Sequence, residues 1–315
     1  MIRRTIGSAS VALLLLALQV SDNLQLSILL YALAAVLVPV FIWQERHAAE
    51  PLVPLWLFAQ RAIGVSTLGG LLQGWALFGQ STFLPPFVQG VMGATPTVSG
   101  FILAGSSVGW PIASTIGGRL LLRLGFRWPA FLGGLVLTGG FVMLLFVSPE
   151  SSLFAPLTIS CILGFGFGFY TVATILAAQT AVGWEHRGVV TSASQFSRNI
   201  GGTIGVSVAG AIFTAGVVNS SMAGLNPNDL LSPAVRATLS PDQLLTLQSL
   251  LAGSLRAVYL LLAGVAALST IVAAFLPGGA PREVSDAGPY AEEASNGEAQ
   301  RLTDQPKRSE STTLR

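Results

Sequence analysis

Residues 153–182 read LFAPLTISCILGFGFGFYTVATILAAQTAV, thirty consecutive positions without an acidic, basic or histidine side chain. An α-helix needs about 20 apolar residues to cross roughly 30 Å of hydrocarbon, so this stretch is long enough to span a membrane. It shows none of the polar–apolar alternation that a barrel strand requires. The stretch therefore predicts a transmembrane helix, and with it a membrane protein.

Apolar stretches of the same kind recur along the chain, each bounded by charge, proline or glycine-rich turns. Eight are identified, at residues 6–20, 26–43, 62–88, 98–121, 129–147, 153–182, 190–217 and 255–276. The composition agrees, because 52% of the residues are hydrophobic and only 10% are charged, against about a quarter charged in soluble domains. The predicted fold class is an all-α integral membrane protein with about eight transmembrane helices, which has the lipid bilayer as its surroundings.

The first segment has two interpretations. Arg3 and Arg4 precede a short apolar run, which predicts either a short spanning helix or a signal peptide. The sequence around Ala17 is a poor match to the small-residue cleavage site that a signal peptide needs. Both interpretations stay open at this point.

Basic residues predict the orientation. If loops alternate between the two sides, one side receives most of the arginines that flank the segments: Arg3, Arg4, Arg46, Arg61, Arg119, Arg123, Arg127 and Arg187, with the tail bases. The other side receives only Arg236 and Arg256. Because an excess of Lys and Arg marks the cytoplasmic side, both termini are predicted inside the cell, with the protein in the cell membrane.

Two stretches are predicted to lie outside the membrane. Residues 218–254 form an external loop, although Ser232-Pro233 and Ser240-Pro241-Asp242 carry the N-cap-then-proline pattern of helix starts. Residues 278–315 are rich in Gly, Pro, Ser and charge, which predicts a disordered cytoplasmic tail.

Ionisable groups are nearly absent from the segments. Arg198 is the one that lies well inside a span, and His47 and His186 fall in loops. An intramembrane enzyme would need a Ser/His pair, paired aspartates or a metal cluster at membrane depth, so enzymatic activity, a metal and a cofactor are not expected. The single Cys161 forms no disulfide within the chain, and the mixed, sparse charges predict no nucleic-acid partner.

Polar groups inside the spans are the candidates for a substrate cavity, since a site for amphipathic molecules combines aromatic and a few polar side chains. The candidates are Gln73, Trp75, Gln80, Tyr170, Gln179, Arg198 and Asn199. For the glutamines, hydrogen bonding across helix contacts is the competing interpretation. Arg198 has three interpretations: it holds an anionic or polar ligand group, it pairs with an acid of another helix bundle, or it extends its guanidinium to the nearby cytoplasmic surface.

Small residues at spacing four predict close helix packing, because they let backbones approach one another. The positions expected in such contacts are Gly105, Gly109, Gly164, Gly168, Gly201 and Gly205. The Gly164–Gly168 run follows no strand and precedes no lysine, so it is not a nucleotide-binding loop.

The stretch 117–127, GGRLLLRLGFR, contains Gly117, Gly118, Arg119, Arg123, Gly125 and Arg127. These arginines either anchor a cytoplasmic loop or donate to carbonyls at helix C-termini. The pattern resembles the loop signature of the major facilitator superfamily in its second-half copy. Leu122 stands where that signature has an acid, so the charge relay of the full signature is not expected here.

The order of motifs in the late segments is similar to that of the fourteen-helix drug:proton antiporter family within this superfamily. The matching stretches are Gly164–Tyr170, Gln179, Arg187-Gly188, Ser194–Gly205, Glu50–Leu55 and Leu84–Gly93. The resemblance implies two linker helices in residues 1–61 and a six-helix C-terminal bundle in residues 62–277. No stretch corresponds to the family's first six helices.

The resemblance implies efflux of amphipathic drugs by proton antiport. The family's coupling acids lie mainly in the first bundle, so this chain alone is expected not to transport. Two versions follow: a truncated or split gene product without activity of its own, or a half that pairs with a partner chain supplying the first bundle. The alternative is a non-transporting membrane scaffold or sensor that signals through its charged tail.

Overall fold

In the computed structural model, residues 59–220, 230 and 240–279 are described, except for the side chains of residues 218–220. The two predicted linker segments, the choice between a signal peptide and a first span, and the tail beyond residue 279 lie outside these residues. The described part is helical, and its helices are α1 (Arg61–Pro86), α2 (Pro96–Leu124), α3 (Arg127–Leu145), α4 (Phe154–Thr180), α5 (Trp184–Ser220) and α6 (Pro241–Ala274).

Each of the six apolar segments predicted between residues 62 and 276 is a helix, which confirms the all-α fold class. Two helices begin before their apolar segments: α5 at Trp184, ahead of residue 190, and α6 at Pro241, ahead of residue 255. The helix start predicted at Ser240-Pro241-Asp242 is confirmed, so residues 241–254 are helical. Their position outside the membrane stays a prediction.

Capping explains the early start of α6. The Ser240 hydroxyl accepts from the Gln243 backbone N–H, and the Gln243 side chain accepts from the Ser240 N–H, which is a complete capping box. About two turns after Ser240, Gln248 Nε2 donates to the Val91 carbonyl at 3.1 Å. The helix thus begins before its most apolar part because the cap and a bond to a neighbouring helix end stabilise its first turns.

Five of the six described helices are long and apolar enough to cross a membrane, judged by length and composition. The exception is α2, whose 29 residues include many glycines, serines and threonines. The prediction of about eight spans is thus neither confirmed nor contradicted in number.

α4 lies at the centre of the bundle, with contacts to α2 and α3 along its length and further contacts to α1 and α5. α1 packs along α5, and α3 packs along α6. Phe167 of α4 and Phe141 of α3 are fully buried, and the Phe167 ring stacks on Trp110 of α2 with centroids 5.6 Å apart. Between helices in lipid, dispersion contacts of this kind are the main attractive force, because the hydrophobic effect does not drive helix association there.

α1 ends at two consecutive prolines, Pro85 and Pro86, and a π-helical turn, Phe87–Val91, continues it. Neither proline has an N–H, so neither donates to the carbonyl four residues earlier. The buried Tyr259 hydroxyl of α6 donates to the Phe83 carbonyl at 3.2 Å, just before this junction.

Candidate functional site

A polar cleft lies where α1, α4 and α5 meet. Its lining residues are Ser66, Gly70, Gln73, Thr171, Thr174, Ile175, Ser194, Gln195 and Arg198. The cleft volume is about 10 Å³, roughly the space of a single water molecule. In this conformation the cleft is too small for a drug-sized molecule, but it gathers the polar groups of three helices at one place.

Gln73 connects α1 to α4 in this cleft. Its Nε2 donates to the Phe167 carbonyl at 3.1 Å and also to the Thr171 hydroxyl. The side chain is buried, and bonds of this type in membrane helices contribute about 0.6 kcal/mol each. Gln73 therefore holds two helices together and presents its amide to the cleft.

Arg198 lies beside the middle of α1. α5 begins at Trp184, so Arg198 is about four turns from the helix start, against about two from the start of the apolar segment at residue 190. Its backbone carbonyl packs against Gly74, near the middle of the span Arg61–Val91. The guanidinium is half-buried and donates to the side-chain oxygen of Gln195.

Gln80 forms a second buried polar cluster two turns beyond Gln73 on α1. Its Nε2 donates to Ser106 Oγ of α2 at 2.9 Å and to Ser160 Oγ of α4 at 3.2 Å. The two hydroxyls lie 2.9 Å apart. Gln80 Oε1 is buried without a hydrogen-bond partner among the described residues. The cluster joins three helices and does not open onto the cleft.

The remaining cavity candidates lie elsewhere. Tyr170 is fully buried, and its hydroxyl donates to the Ser269 carbonyl of α6 at 3.1 Å. Trp75 is half-buried against Gly205, and Gln179 Nε2 donates to Thr191 Oγ1 at 2.8 Å. Asn199 is exposed beside Arg198. Only Gln73 and Arg198 of the predicted set share the cleft, and substrate contact stays a prediction for all of them.

Sequence reasoning missed the hydroxyl residues of the cleft, Ser66, Thr171, Thr174 and Ser194. A signal was present. Ser66, Gly70 and Gln73 follow the i, i+4, i+7 spacing of one helix face, and Ser194 and Arg198 follow i, i+4. Polar residues at helical spacing within an apolar span thus marked the faces that meet here.

The predicted packing glycines lie in two helix pairs. Gly105 and Gly109 of α2 face Leu157 and Cys161 of α4, and a Cβ at Gly168 would stand 2.5 Å from the Trp110 carbonyl. A Cβ at Gly164 would overlap the Ser106 carbonyl in the same pair. In the α1–α5 pair, a Cβ at Gly201 would overlap the Leu71 carbonyl, and one at Gly205 would overlap the Trp75 ring.

The loop between α2 and α3 is tied to the end of α6. Arg127 Nε donates to the Leu276 carbonyl at 2.9 Å, and Arg61 Nε at the start of α1 donates to the Phe275 carbonyl at 2.9 Å. A guanidinium at a helix C-terminus satisfies free carbonyls and complements the helix dipole. Of the two interpretations of the loop arginines, donation to carbonyls is what Arg127 does, whereas Arg119 and Arg123 are exposed.

The loop glycines differ in whether a larger residue could replace them. Gly125 has φ +72, a conformation that L side chains rarely adopt, and a Cβ there would meet the Gly278 and Gly279 carbonyls at 2.8 Å. Gly117 packs against Phe169 and Val172, whereas nothing described lies within 4 Å of a Cβ at Gly118.

Arg127→Gln is expected to lower the stability of the bundle by about 1 kcal/mol, because the Leu276 carbonyl loses its charged donor. The measurement is the thermal unfolding midpoint of the purified protein in detergent. Arg119→Gln is the matched control, since Arg119 lies in the same stretch but is exposed. Equal midpoints for the two variants would contradict a stabilising role for the Arg127–Leu276 hydrogen bond.

Packed apolar helices of spanning length define a multi-pass α-helical membrane protein. Residues 6–206 match the family model described as Major Facilitator Superfamily, and the chain belongs to this family. The predicted membership in this superfamily is confirmed. Proteins named multidrug transporter or multidrug resistance protein are similar to this chain over part of its length.

Among the relatives, multidrug transporter protein MdtP of Bacillus subtilis (strain 168) is 37% identical over 186 residues, which covers 59% of this chain and 34% of MdtP. Multidrug resistance protein Stp of Mycobacterium tuberculosis is 31% identical over 184 residues, 58% of this chain and 34% of Stp. The chain thus spans about a third of the length of these curated relatives. A solved structure of a bacterial homolog of the human lysosomal transporter Spinster aligns with a TM-score of 0.48 and 16% identity, covering 80% of this chain and 58% of that one.

Proposed function

We propose that the chain provides one helix bundle of an efflux transporter for amphipathic small molecules, and that its role is transport and not catalysis. The observation that carries this proposal is the 37% identity to a protein named a multidrug transporter over 186 residues. Family membership alone would leave the substrate class open, because one fold hosts many functions.

The polar cleft supports the proposal. Gln73, Thr171 and Arg198 bring an amide, a hydroxyl and a guanidinium together between three helices, near the middle of α1. Transporters of this kind place their substrate sites near the membrane midplane and open them by rocking one bundle against another. The cleft of about 10 Å³ would then be one side of a substrate site in its closed conformation. A second bundle would form the other side, and its movement would open the site.

We further propose that efflux is coupled to proton entry through a carboxylate outside these helices. The acids of the described residues are Glu150, Glu185 and Asp242, in the turn before α4 and in the first turns of α5 and α6. None lines the cleft. Because a proton-coupled pump needs a titrating group facing its cavity, the second bundle, in the same or another polypeptide, would supply it.

The proposed orientation follows from the arginines. Arg61, Arg127 and Arg187 lie at or near the helix ends that were predicted to face the cytoplasm. Placing this end inside the cell gives both chain termini a cytoplasmic position in the plasma membrane, in line with the excess of basic residues on that side.

Expression of the gene with its native coding context in pump-deficient bacterial cells tests the function. Energised cells should accumulate less ethidium and less of a second lipophilic cation than cells with an empty vector. A protonophore should remove the difference. The control is Gly210→Ala, where nothing described lies within 4 Å of an added Cβ, and it should lower accumulation as the wild type does. Equal accumulation of both cations with and without the gene would overturn the proposed function.

A further inference from the structure

Among the described residues, the positive charge in the cleft has no acidic partner. Arg198 stays protonated at any physiological pH, and its one hydrogen bond in this part of the chain goes to a neutral amide, Gln195. No carboxylate of the described residues lines the cleft, and Glu185, on the same helix, is thirteen residues away, about 20 Å along the axis. A guanidinium has five N–H donors, so most of its donor capacity is free at this depth.

A second polar group in the cleft also lacks a partner. The Ser66 side chain is 1% exposed, it lines the cleft, and its hydroxyl has no hydrogen-bond partner among the described residues. Buried hydroxyls are normally bonded, because burial without a partner costs free energy. The Thr174 and Ser194 hydroxyls that also line the cleft donate to carbonyls of their own helices, and the Thr171 hydroxyl accepts from Gln73. Of the four cleft hydroxyls, Ser66 is thus the one with no hydrogen bond among the described residues, and it can donate to a ligand.

Charge and geometry favour an anion over the lipophilic cations common among efflux substrates. A cation would meet the guanidinium at close range in a medium of low dielectric constant, where like charges repel strongly. A carboxylate would accept two parallel bonds from the guanidinium, the arrangement for which arginine is suited, and a third from the Ser66 hydroxyl. In this conformation the cleft has room for about one water molecule, so a carboxylate would enter it only as the three helices separate slightly, and any apolar chain would stay outside.

We propose that this cleft binds the carboxylate headgroup of an amphipathic anion. The proposal rests on the proposed transport function, for which it names an additional substrate class. Arg198 provides the charge, Ser66 a neutral donor, and Gln73 fixes the spacing of α1 and α4 around the headgroup.

Equilibrium binding tests the proposal without requiring transport. The full chain in nanodiscs of neutral lipid is titrated with dansyl-labelled undecanoic acid and, in parallel, with its methyl ester. The signal is energy transfer from the tryptophans of the protein to the dansyl group. The wild type should bind the acid more tightly than the ester, which has the same apolar chain and no charge.

Arg198→Gln should weaken binding of the acid by about tenfold to a hundredfold and leave the ester unchanged, because only the acid makes the charge-assisted bonds. Arg198→Lys should fall between, since lysine keeps the charge and loses the paired donors. Ser66→Ala should weaken binding by about threefold to tenfold. The matched control is Arg256→Gln, an exposed arginine on α6, which should bind like the wild type.

Three results would overturn the proposal: no preference of the wild type for the acid, a preference unchanged by Arg198→Gln, or one lost equally in Arg256→Gln. If a carboxylate of the protein itself occupies the cleft, the first result follows. Should Arg198→Gln fail to fold, Arg198→Lys and Ser66→Ala still decide the question. Acid binding that depends on Arg198, found together with unchanged ethidium accumulation in cells, would retain the site and reject the transport function.

Discussion

Gly201→Ala is expected to lower the thermal unfolding midpoint of the purified protein by about 5 °C or more. A Cβ at this position would overlap the backbone carbonyl of Leu71, and a backbone cannot move aside as a flexible side chain can. α1 and α5 would have to separate along their contact, so the variant loses packing on both sides of the substituted residue. Overpacking of this kind costs about 1–3 kcal/mol and sometimes more.

Gly210→Ala is the matched control for this experiment. It lies on the same helix, and nothing described stands within 4 Å of a Cβ there. Alanine favours a helix over glycine by about 1 kcal/mol, so this variant should unfold at the wild-type temperature or slightly above it. If the two variants unfolded at the same temperature, the close approach of α1 and α5 would be refuted.

Tyr170→Ala has the second large expected effect, a loss of about 3–5 kcal/mol. The ring is fully buried on α4, its hydroxyl would stand 2.6 Å from a Cβ at Gly69 of α1, and it bonds to the Ser269 carbonyl of α6. Removing it leaves a cavity that three helices share and takes one hydrogen bond from the Ser269 carbonyl. The measurement is again the unfolding midpoint, which should fall on the order of 10 °C or bring aggregation on purification.

Two further variants separate the parts played by the ring and the hydroxyl. Tyr170→Phe keeps the ring and should cost about 1 kcal/mol, the value of one hydrogen bond. Phe146→Ala removes an aromatic ring that is 79% exposed and should cost less than either. Because Tyr170 lies away from the cleft, Tyr170→Phe should leave binding of the dansyl probe unchanged. Altered binding at unchanged stability would show that Tyr170 contacts substrate.

The sequence was sufficient for the helices and insufficient for their pairing. Apolar runs such as residues 153–182 predicted spans because lipid requires every backbone group to be bonded within its own helix. The spacing of Gly201 and Gly205 indicated a close contact, but nothing local identified Leu71 and Trp75 as the facing residues. Choice of partner depends on the packing of all six helices at once, which one segment does not encode.

Helix ends were predicted less well, because hydropathy marks the apolar part of a helix and not its last hydrogen bond. Ser240 carried a clear cap signal and was predicted as a helix start, yet the spanning segment was placed from residue 255, where the apolar run begins. In the same way α5 begins before its apolar run at residue 190. The position of Arg198 beside the middle of α1 followed from its contact with Gly74 and not from counting along the chain.

The two prolines near the end of α1 make its stiffness uneven. The carbonyls of Ser81 and Thr82 lack their helical donors because Pro85 and Pro86 have no N–H, and beyond Pro86 the ladder changes to the wider π-helical pattern. Resistance to bending falls at this point. α6 bonds to both sides of the weak point, through Tyr259 to the Phe83 carbonyl and through Gln248 to the Val91 carbonyl. Any bending of α1 here therefore strains α6 as well, and the two helices respond to an applied load as a coupled pair.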